Sequence, residues 1–317
     1  MYIVNFDDIK NLNISNSECY SWVVDMITDK NKMILPPKIS IKPFSGVFCN
    51  VMPSFVSYDG KQFGGVKVVT RYPDREPSLN SKLLLFDAKT GENLAFMDAN
   101  WITAMRTGAV ATHSISLFAV EGFSEIGMLG LGNTARATLL MLLDRFPDRH
   151  FNIKLFKYKE QEKIFIERFI EYENISFRCV ESYEEVIRGS QVVISAATYL
   201  PYDVAEDDAY DEGVLVVPIH TLGFTNCDIF FDRIFADDIG HVSNFKNFDK
   251  FKNLAEVTDV VNEQCIARGN SKERILAYNI GVSTHDVYFA ANIYERLWNE
   301  GSLINIEMHE PLSKFWI

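Results

Sequence analysis

The most constraining feature of this chain is one uninterrupted run of residues. Glu125-Ile126-Gly127-Met128-Leu129 is a short apolar segment, Gly130-Leu131-Gly132-Asn133 a glycine-rich turn, and Thr134 to Phe146 an apolar stretch of helical period. A buried strand, a tight turn and a helix in that order make a cradle for phosphate. Gly130 permits the turn, Gly132 lets a ligand approach the backbone, and Ala135 takes the small position where helix meets strand. Gly130, Gly132, Asn133, Thr134 and Ala135 are therefore candidate cofactor-binding residues, with the free N–H groups of the helix start as the anion donors.

The turn heads a series. A second strand is expected at Asn152 to Tyr158, a helix at Glu160 to Tyr172, and further strands at Phe177 to Val180, Gln191 to Ser195, Val214 to Ile219 and Ile234 to Ala236. Strands alternating with helices predict an α/β fold, a Rossmann-type doubly wound parallel sheet. At 317 residues the chain exceeds one compact core, and its amino-terminal part reads differently. Apolar residues at helical spacing (Tyr20, Val23, Val24, Ile27) predict a helix over Ser15 to Asp29, and Gly65 to Asp87 reads as antiparallel strands with turn signals at Pro73-Asp74 and Lys89-Thr90-Gly91. Trp101 to Val120 is expected to be one helix leading out of this α+β domain, and the helix around Asp286 to Trp298 is expected to pack back on it.

Acidic residues outnumber basic ones by 43 to 31, a net charge of −12, which argues against a nucleic-acid surface. No apolar run is long enough to span a bilayer, and the first residues lack a basic-then-apolar signal pattern, so no membrane association and a cytoplasmic location are expected. The five cysteines are dispersed without a paired spacing and read as reduced packing residues; nothing favours Cys227 as a nucleophile, and no metal site is expected.

In such folds the end of the second strand selects between the two nicotinamide dinucleotides, an acidic residue receiving the ribose hydroxyl and a cation the 2′-phosphate. Here the residues are Lys157-Tyr158-Lys159, which leans the expectation for NAD(P) towards NADP(H), with two solvated lysines as the plain alternative.

Arg106-Thr107-Gly108-Ala109-Val110 precedes the glycine turn, and Leu35-Pro36-Pro37, Met52-Pro53, Gly65-Val66-Lys67, Leu85-Phe86-Asp87, Ser195-Ala196-Ala197-Thr198, Ala236-Asp237-Asp238 and Asn279-Ile280-Gly281 follow a recognisable order. In these residues the chain resembles the ornithine cyclodeaminase/mu-crystallin family over nearly its whole length. That resemblance implies a Rossmann domain (122–281) inserted into a substrate-binding and dimerisation domain (1–121 plus 282–317), a homodimer, and hydride exchange at the α-carbon of an amino acid or its imine. It implies that Arg106 grips the substrate carboxylate, that Lys67 works at the substrate, and that Ser78 falls near substrate or nicotinamide. Thr107, Ala197, Thr198 and Asp238 join Lys157 and Tyr158 as candidate cofactor contacts.

The chain departs from the family pattern in two places. Lys38 stands where a carboxylate-binding arginine is common, keeping the charge and losing the fork. Where cyclodeaminases use an aspartate the chain runs His220-Thr221-Leu222-Gly223-Phe224, with Leu222 nearest that place. His220, at the carboxyl end of a strand, becomes the candidate proton carrier; His285 and His241 are weaker candidates, the latter read as a rim residue. The expected activity is an NAD(P)H-dependent reductase or dehydrogenase acting on the C–N bond of a small α-amino or α-imino acid, including N-(carboxyalkyl) amino acids if Lys38 and Lys67 serve a second carboxylate. The alternatives are a cyclodeaminase-type lyase releasing ammonia with bound NAD, and a dinucleotide-binding protein of the mu-crystallin kind without turnover.

Overall fold

A computed structural model describes residues 1–197, 200, 202–220, 224 and 228–307. Strands are β1 (Tyr2–Val4), β2 (Ile39–Ile41), β3 (Phe48–Tyr58), β4 (Lys61–Arg71), β5 (Leu79–Asp87), β6 (Asn93–Asp98), β7 (Glu125–Leu129), β8 (Phe151–Phe156), β9 (Ile175–Val180), β10 (Val192–Ser195), β11 (Leu215–Pro218), β12 (Arg233–Ala236), β13 (Ala255–Glu256), β14 (Ile275–Tyr278) and β15 (Ile304–Asn305). Helices are α1 (Phe6–Asn11), α2 (Asn16–Thr28), α3 (Asn100–Phe118), α4 (Asn133–Arg145), α5 (Gln161–Glu167), α6 (Tyr183–Ile187), α7 (Ile239–Val242), α8 (Val257–Val261) and α9 (Ser283–Glu300). Among the described residues no helix is long and apolar enough to cross a membrane.

One compact unit comprises Met1–Asn13, Lys32–Ile102 and Ser283–Ile317. Its described strands form a seven-stranded sheet in the order β15-β1-β6-β5-β4-β3-β2. The expected hairpin of β4 and β5 is present, with Lys67 opposite Leu83, and β3 extends it, with Met52 opposite Lys67. β3 carries no clear sequence pattern because Pro53 interrupts it. The strand tolerates proline there, and the carbonyl of Pro53 accepts a hydrogen bond from Ser283 Oγ at 2.8 Å. Helix α9 lies on the face that carries Phe63, Gly65 and Lys67; a Cβ on Gly65 would stand 2.7 Å from Val287, so glycine is what allows the helix this close.

The other unit comprises Ile14–Asn31 and Thr103–Val282. Its described strands form an eight-stranded sheet, β13-β12-β14-β11-β10-β7-β8-β9, parallel throughout. β7, β10 and β11 are buried apart from Glu125, which is why they read as continuous apolar runs. The chain leaves β9 at one edge and returns as β10 on the far side of β7, so the strand order reverses between β7 and β10, the place where doubly wound sheets generally take their ligands.

Contacts group α2 and most of α3 with this parallel sheet, whereas the sequence reading set 1–121 apart from it. The reason is local. α2, capped by Ser15 accepting from the Glu18 N–H at 3.2 Å, packs on α4 and α8, and α3 meets α4 backbone to backbone. α5 also ends at Glu167, short of the expected Tyr172.

His113 of α3 is buried, with Nδ1 3.1 Å from the Tyr20 hydroxyl. Burial, helped by the charge of Arg145, lowers its pKa from 6.5 to about 4. Because the unfolded chain then binds a proton that the folded one refuses, this contribution is complete above pH 6.5 and is lost as the pH falls towards 4. Relative to His113→Gln, the wild-type chain should lose roughly 2–3 kcal/mol more stability between pH 7 and pH 4.5 in urea titrations; equal losses would refute the assignment.

Candidate functional site

The glycine turn sits where β7 ends at the sheet's reversal. Gly130 has φ +80°, and a Cβ there would lie 2.5 Å from the Ala197 nitrogen. The loop after β10 is thus packed directly on the turn after β7, an arrangement held by the Ala196 N–H donating to the Leu129 carbonyl at 2.7 Å. Gly132 differs: it is exposed, is the N-cap of α4 with φ −79°, and a Cβ there would meet nothing within 4 Å. No side chain caps α4. Asn133 is exposed, Thr134 half-buried and Ala135 buried against the strand layer, so an uncapped thirteen-residue helix offers its first N–H groups to open space over bare glycine backbone. The residues present fit a dinucleotide pyrophosphate.

Helix α3 brings Arg106 and Thr107. A Cβ on Gly108 would stand 2.6 Å from the carbonyl carbon of Ala137 in α4, so α3 and α4 touch through backbone atoms and cannot slide. Arg106, two residues earlier, is buried at 6% exposure, and the Thr107 hydroxyl donates back within the helix to the Thr103 carbonyl at 2.6 Å. The Arg106 guanidinium lies on Gly281, whose hypothetical Cβ would be 2.6 Å from Nη1 and 3.2 Å from Cζ. Gly281 has φ +84°, and its N–H donates to Asp237 Oδ2 at 2.6 Å. Gly281 and Asp237 both lie in the family-like motifs, yet neither carries a sequence signal for this role; a glycine that seats an arginine leaves no periodic pattern.

His220 follows β11, and its Nε2 is 2.5 Å from Oγ of the fully buried Ser195, the last residue of β10. The pair occupies the carboxyl ends of neighbouring strands on the β10 side of the reversal. Thr198, Leu222 and Cys227 lie outside the described residues.

Asp238 is held by the chain itself. Its carboxylate meets Lys30 at 2.8 Å and His241 Nδ1 at 2.7 Å, and it caps α7. Burial alone would raise its pKa, but hydrogen bonds from His241 and Lys30 override that and keep it far below the usual carboxylate range. His241 is a correction to the sequence reading: its side chain is 1% exposed, a buried partner of Asp238 and not a rim residue. Lys157, past the end of β8, is 2.5 Å from Glu181, so its charge is already matched at the surface. The Tyr158 N–H donates to Glu162 at 3.2 Å.

In the antiparallel unit Lys67 lies on the interior strand β4, completely buried, with Nζ 2.6 Å from the equally buried Asp286. It is therefore not a strand-edge charge. His285 beside Asp286 is buried as well. Lys38 immediately precedes β2 and is half-buried, and Ser78, also half-buried, offers its carbonyl to the Tyr72 N–H and to Arg75 at 3.0 Å each.

The model of the ornithine cyclodeaminase/mu-crystallin family matches residues 7–301. The chain belongs to that family. Among its relatives, the nodulation efficiency protein NfeD of Rhizobium meliloti is 25% identical over 82% of this chain and 83% of its own length. The N-((2S)-2-amino-2-carboxyethyl)-L-glutamate dehydrogenase of Staphylococcus aureus is 23% identical over 96% and 98%. The family fold is seen in the Thermococcus litoralis Δ1-pyrroline-2-carboxylate reductase in complex with NADH and L-proline, which superposes with a TM-score of 0.84 at 23% identity, covering 96% of this chain and 100% of that one.

The two glycines of the turn separate fold from function. Gly130→Ala should fail to fold or lose stability strongly, since its Cβ would overlap backbone. Gly132→Asp should keep the wild-type melting temperature and lose at least about tenfold in dinucleotide affinity, because a carboxylate would occupy the anion position. Unchanged affinity in Gly132→Asp, measured by fluorescence titration with NADH and NADPH, would remove the phosphate site from this turn.

Proposed function

We propose that this chain is an NAD(P)H-dependent reductase or dehydrogenase acting on the C–N bond of an α-amino or α-imino acid. The observation that carries the reading is the backbone contact of α3 with α4 at Gly108, because it fixes Arg106 relative to the helix whose amino terminus forms the phosphate cradle. A buried, planar, permanently charged donor beside a dinucleotide turn suits a carboxylate next to the reacting carbon. When bound, the nicotinamide supplies or accepts the hydride.

The residues of the chain do the rest. Arg106 binds the carboxylate and thereby presents the α-carbon in one orientation. His220, oriented through Ser195 Oγ, carries the proton exchanged at the nitrogen, its ring neutral when it accepts and protonated when it donates. Lys67, held by Asp286, acts at the substrate as a positioned ammonium. At the cofactor's adenosine end, Lys157 serves the 2′-phosphate in exchange for its Glu181 partner, which gives the preference for NADP(H).

The homodimer forms through the sheet face opposite α9. Pro53, Phe55, Val66, Leu84, Phe86 and Phe96 share that face, and Phe55 and Phe96 are 36% and 41% exposed in the single chain. An apolar sheet face of this kind is a partner surface, and a second copy supplies a matching one.

Two measurements test these assignments. Oxidation of NADPH and NADH should be observed with 2-oxo acids paired with ammonia or amino acids, and Arg106→Lys should lower kcat/KM by about a hundredfold, because the bidentate fork is lost. Ammonia release from ornithine or lysine without net cofactor turnover would replace this reading with the lyase, and tight cofactor binding without any turnover would replace it with a binding protein. Light scattering should give a dimer mass that Phe96→Lys converts to a monomer; a wild-type monomer would refute the interface.

A further inference from the structure

The position of Arg106 is set from outside its own helix. Its guanidinium lies on Gly281, and Gly281 is held in turn by Asp237, whose Oδ2 accepts the Gly281 N–H at 2.6 Å. Both residues are buried and belong to the carboxyl ends of neighbouring strands: Asp237 directly follows β12, Gly281 lies shortly after β14, and Ala236 pairs with Tyr278 between them. The Asp237 N–H continues this ladder by donating to the Tyr278 carbonyl at 3.0 Å. Asp237 thus keeps register with β14 through its backbone and bridges to the loop beyond with its side chain. The same loop is tied to α3 a second time, because Ser114 Oγ donates to Asn279 Oδ1 at 2.9 Å.

What holds Asp237 is Lys30, just past the end of α2. A lysine ammonium has three hydrogens to donate, and this one meets the Asp237 carbonyl at 3.0 Å, the Asp238 carboxylate at 2.8 Å and the Glu256 carboxylate at 2.5 Å. Burial works against its charge, yet the two carboxylates hold its pKa above the ordinary lysine value, so the tripod stays charged and closed at neutral pH. The acceptors are themselves anchored: Asp238 caps α7, and Glu256 accepts the Ile239 N–H at 2.8 Å. Lys30 therefore fastens the turn after β12 at both Asp237 and Asp238.

We propose that Asp237 is the positioning residue of Arg106: it holds the Gly281 turn whose bare Cα seats the guanidinium, and Lys30 holds Asp237. This rests on the reductase reading, in which Arg106 takes the substrate carboxylate. A long arginine side chain loses rotamer freedom when it grips a carboxylate, and a seat built beforehand moves that cost from binding to folding. Asp237 acts through Arg106, so its removal is felt as weaker carboxylate binding.

The test uses the full-length protein saturated with NADH or NADPH. Asp237→Ala removes the acceptor at Gly281 and should raise KM for 2-oxo acids at least about tenfold, with dinucleotide affinity altered less than about twofold. Asp237→Asn keeps an acceptor oxygen for the Gly281 N–H and should return KM to within about threefold of wild type. The decisive measurement is a cycle with Arg106→Lys: once the fork is gone its seat no longer matters, and adding Asp237→Ala should cost less than about twofold more. Losses that multiply in the double variant, or an unchanged KM in Asp237→Ala, would overturn the proposal. If Asp237→Ala does not fold, Asp237→Ser, polar but too short to reach Gly281, replaces it in the cycle. Binding of pyruvate and 2-oxoglutarate to the NADH complex, followed by protein fluorescence, separates the seat from the reductase reading. The same coupling in binding without any turnover would uphold the seat while that reading failed, and turnover with uncoupled losses would do the reverse. A wild-type complex that binds neither acid and turns over no 2-oxo acid would overturn both.

Discussion

The Lys67–Asp286 pair organises the antiparallel unit. Two opposite charges with no exposed surface lie 2.6 Å apart, one on an interior strand and one in the first turn of α9. Each charge taken from water costs several kcal/mol, and their mutual attraction offsets that only at contact. Removing one partner would strand the other, at about 3–5 kcal/mol. The pair therefore sets where α9 may lie: shifting the helix by one residue along β4 would separate the charges. Gly65 permits the approach and Ser283 fastens the helix start to Pro53.

A comparable constraint holds the parallel unit, and it is steric. Gly108, Gly130 and Gly281 each stand where a methyl group would overlap neighbouring atoms: the α4 backbone, the loop after β10, and the Arg106 guanidinium. Three close approaches thus tie the uncapped helix start, the two carboxyl-end loops and the buried arginine into one arrangement. Interiors at organic-crystal density transmit displacement and do not absorb it. A shift at any of the three would move Arg106 relative to the uncapped start of α4, which is why small residues at these points bear on chemistry although none carries a functional group.

Much of this was legible in the sequence, for identifiable reasons. The β7–turn–α4 unit declared itself because a fully buried parallel strand must be continuously apolar and because a phosphate cradle needs glycine in fixed places. The parallel order followed from alternation, and Arg106 from the motif around it. β3 was not legible because Pro53 breaks the pattern that a strand usually shows. β14, inserted between β11 and β12, was missed because Ile275-Leu-Ala-Tyr278 is short and its place in the sheet is decided by distant chain. Asp286 stood out only as the start of a helical stretch, since its partner is more than two hundred positions away; a buried ion pair has no local period. His241 looked like a rim residue because a histidine after an acidic pair is usually solvated, and only Lys30, from another helix connection, turns that neighbourhood into a buried cluster.

The arrangement also bears on the proton. In the sequence, Leu222 falls nearest the place where the family's cyclodeaminases carry an aspartate. What the chain retains at the neighbouring strand end is an imidazole joined to a buried hydroxyl. A carboxylate favours a charged amine and its departure; a histidine near neutrality exchanges one proton and leaves the carbon–nitrogen skeleton intact. The serine hydroxyl behind it helps to orient the ring. On the function proposed above, the chemistry that suits such a pair is reversible protonation of an imine nitrogen alongside hydride transfer, with Arg106 at the same substrate's carboxylate so that the carbon next to that nitrogen reacts.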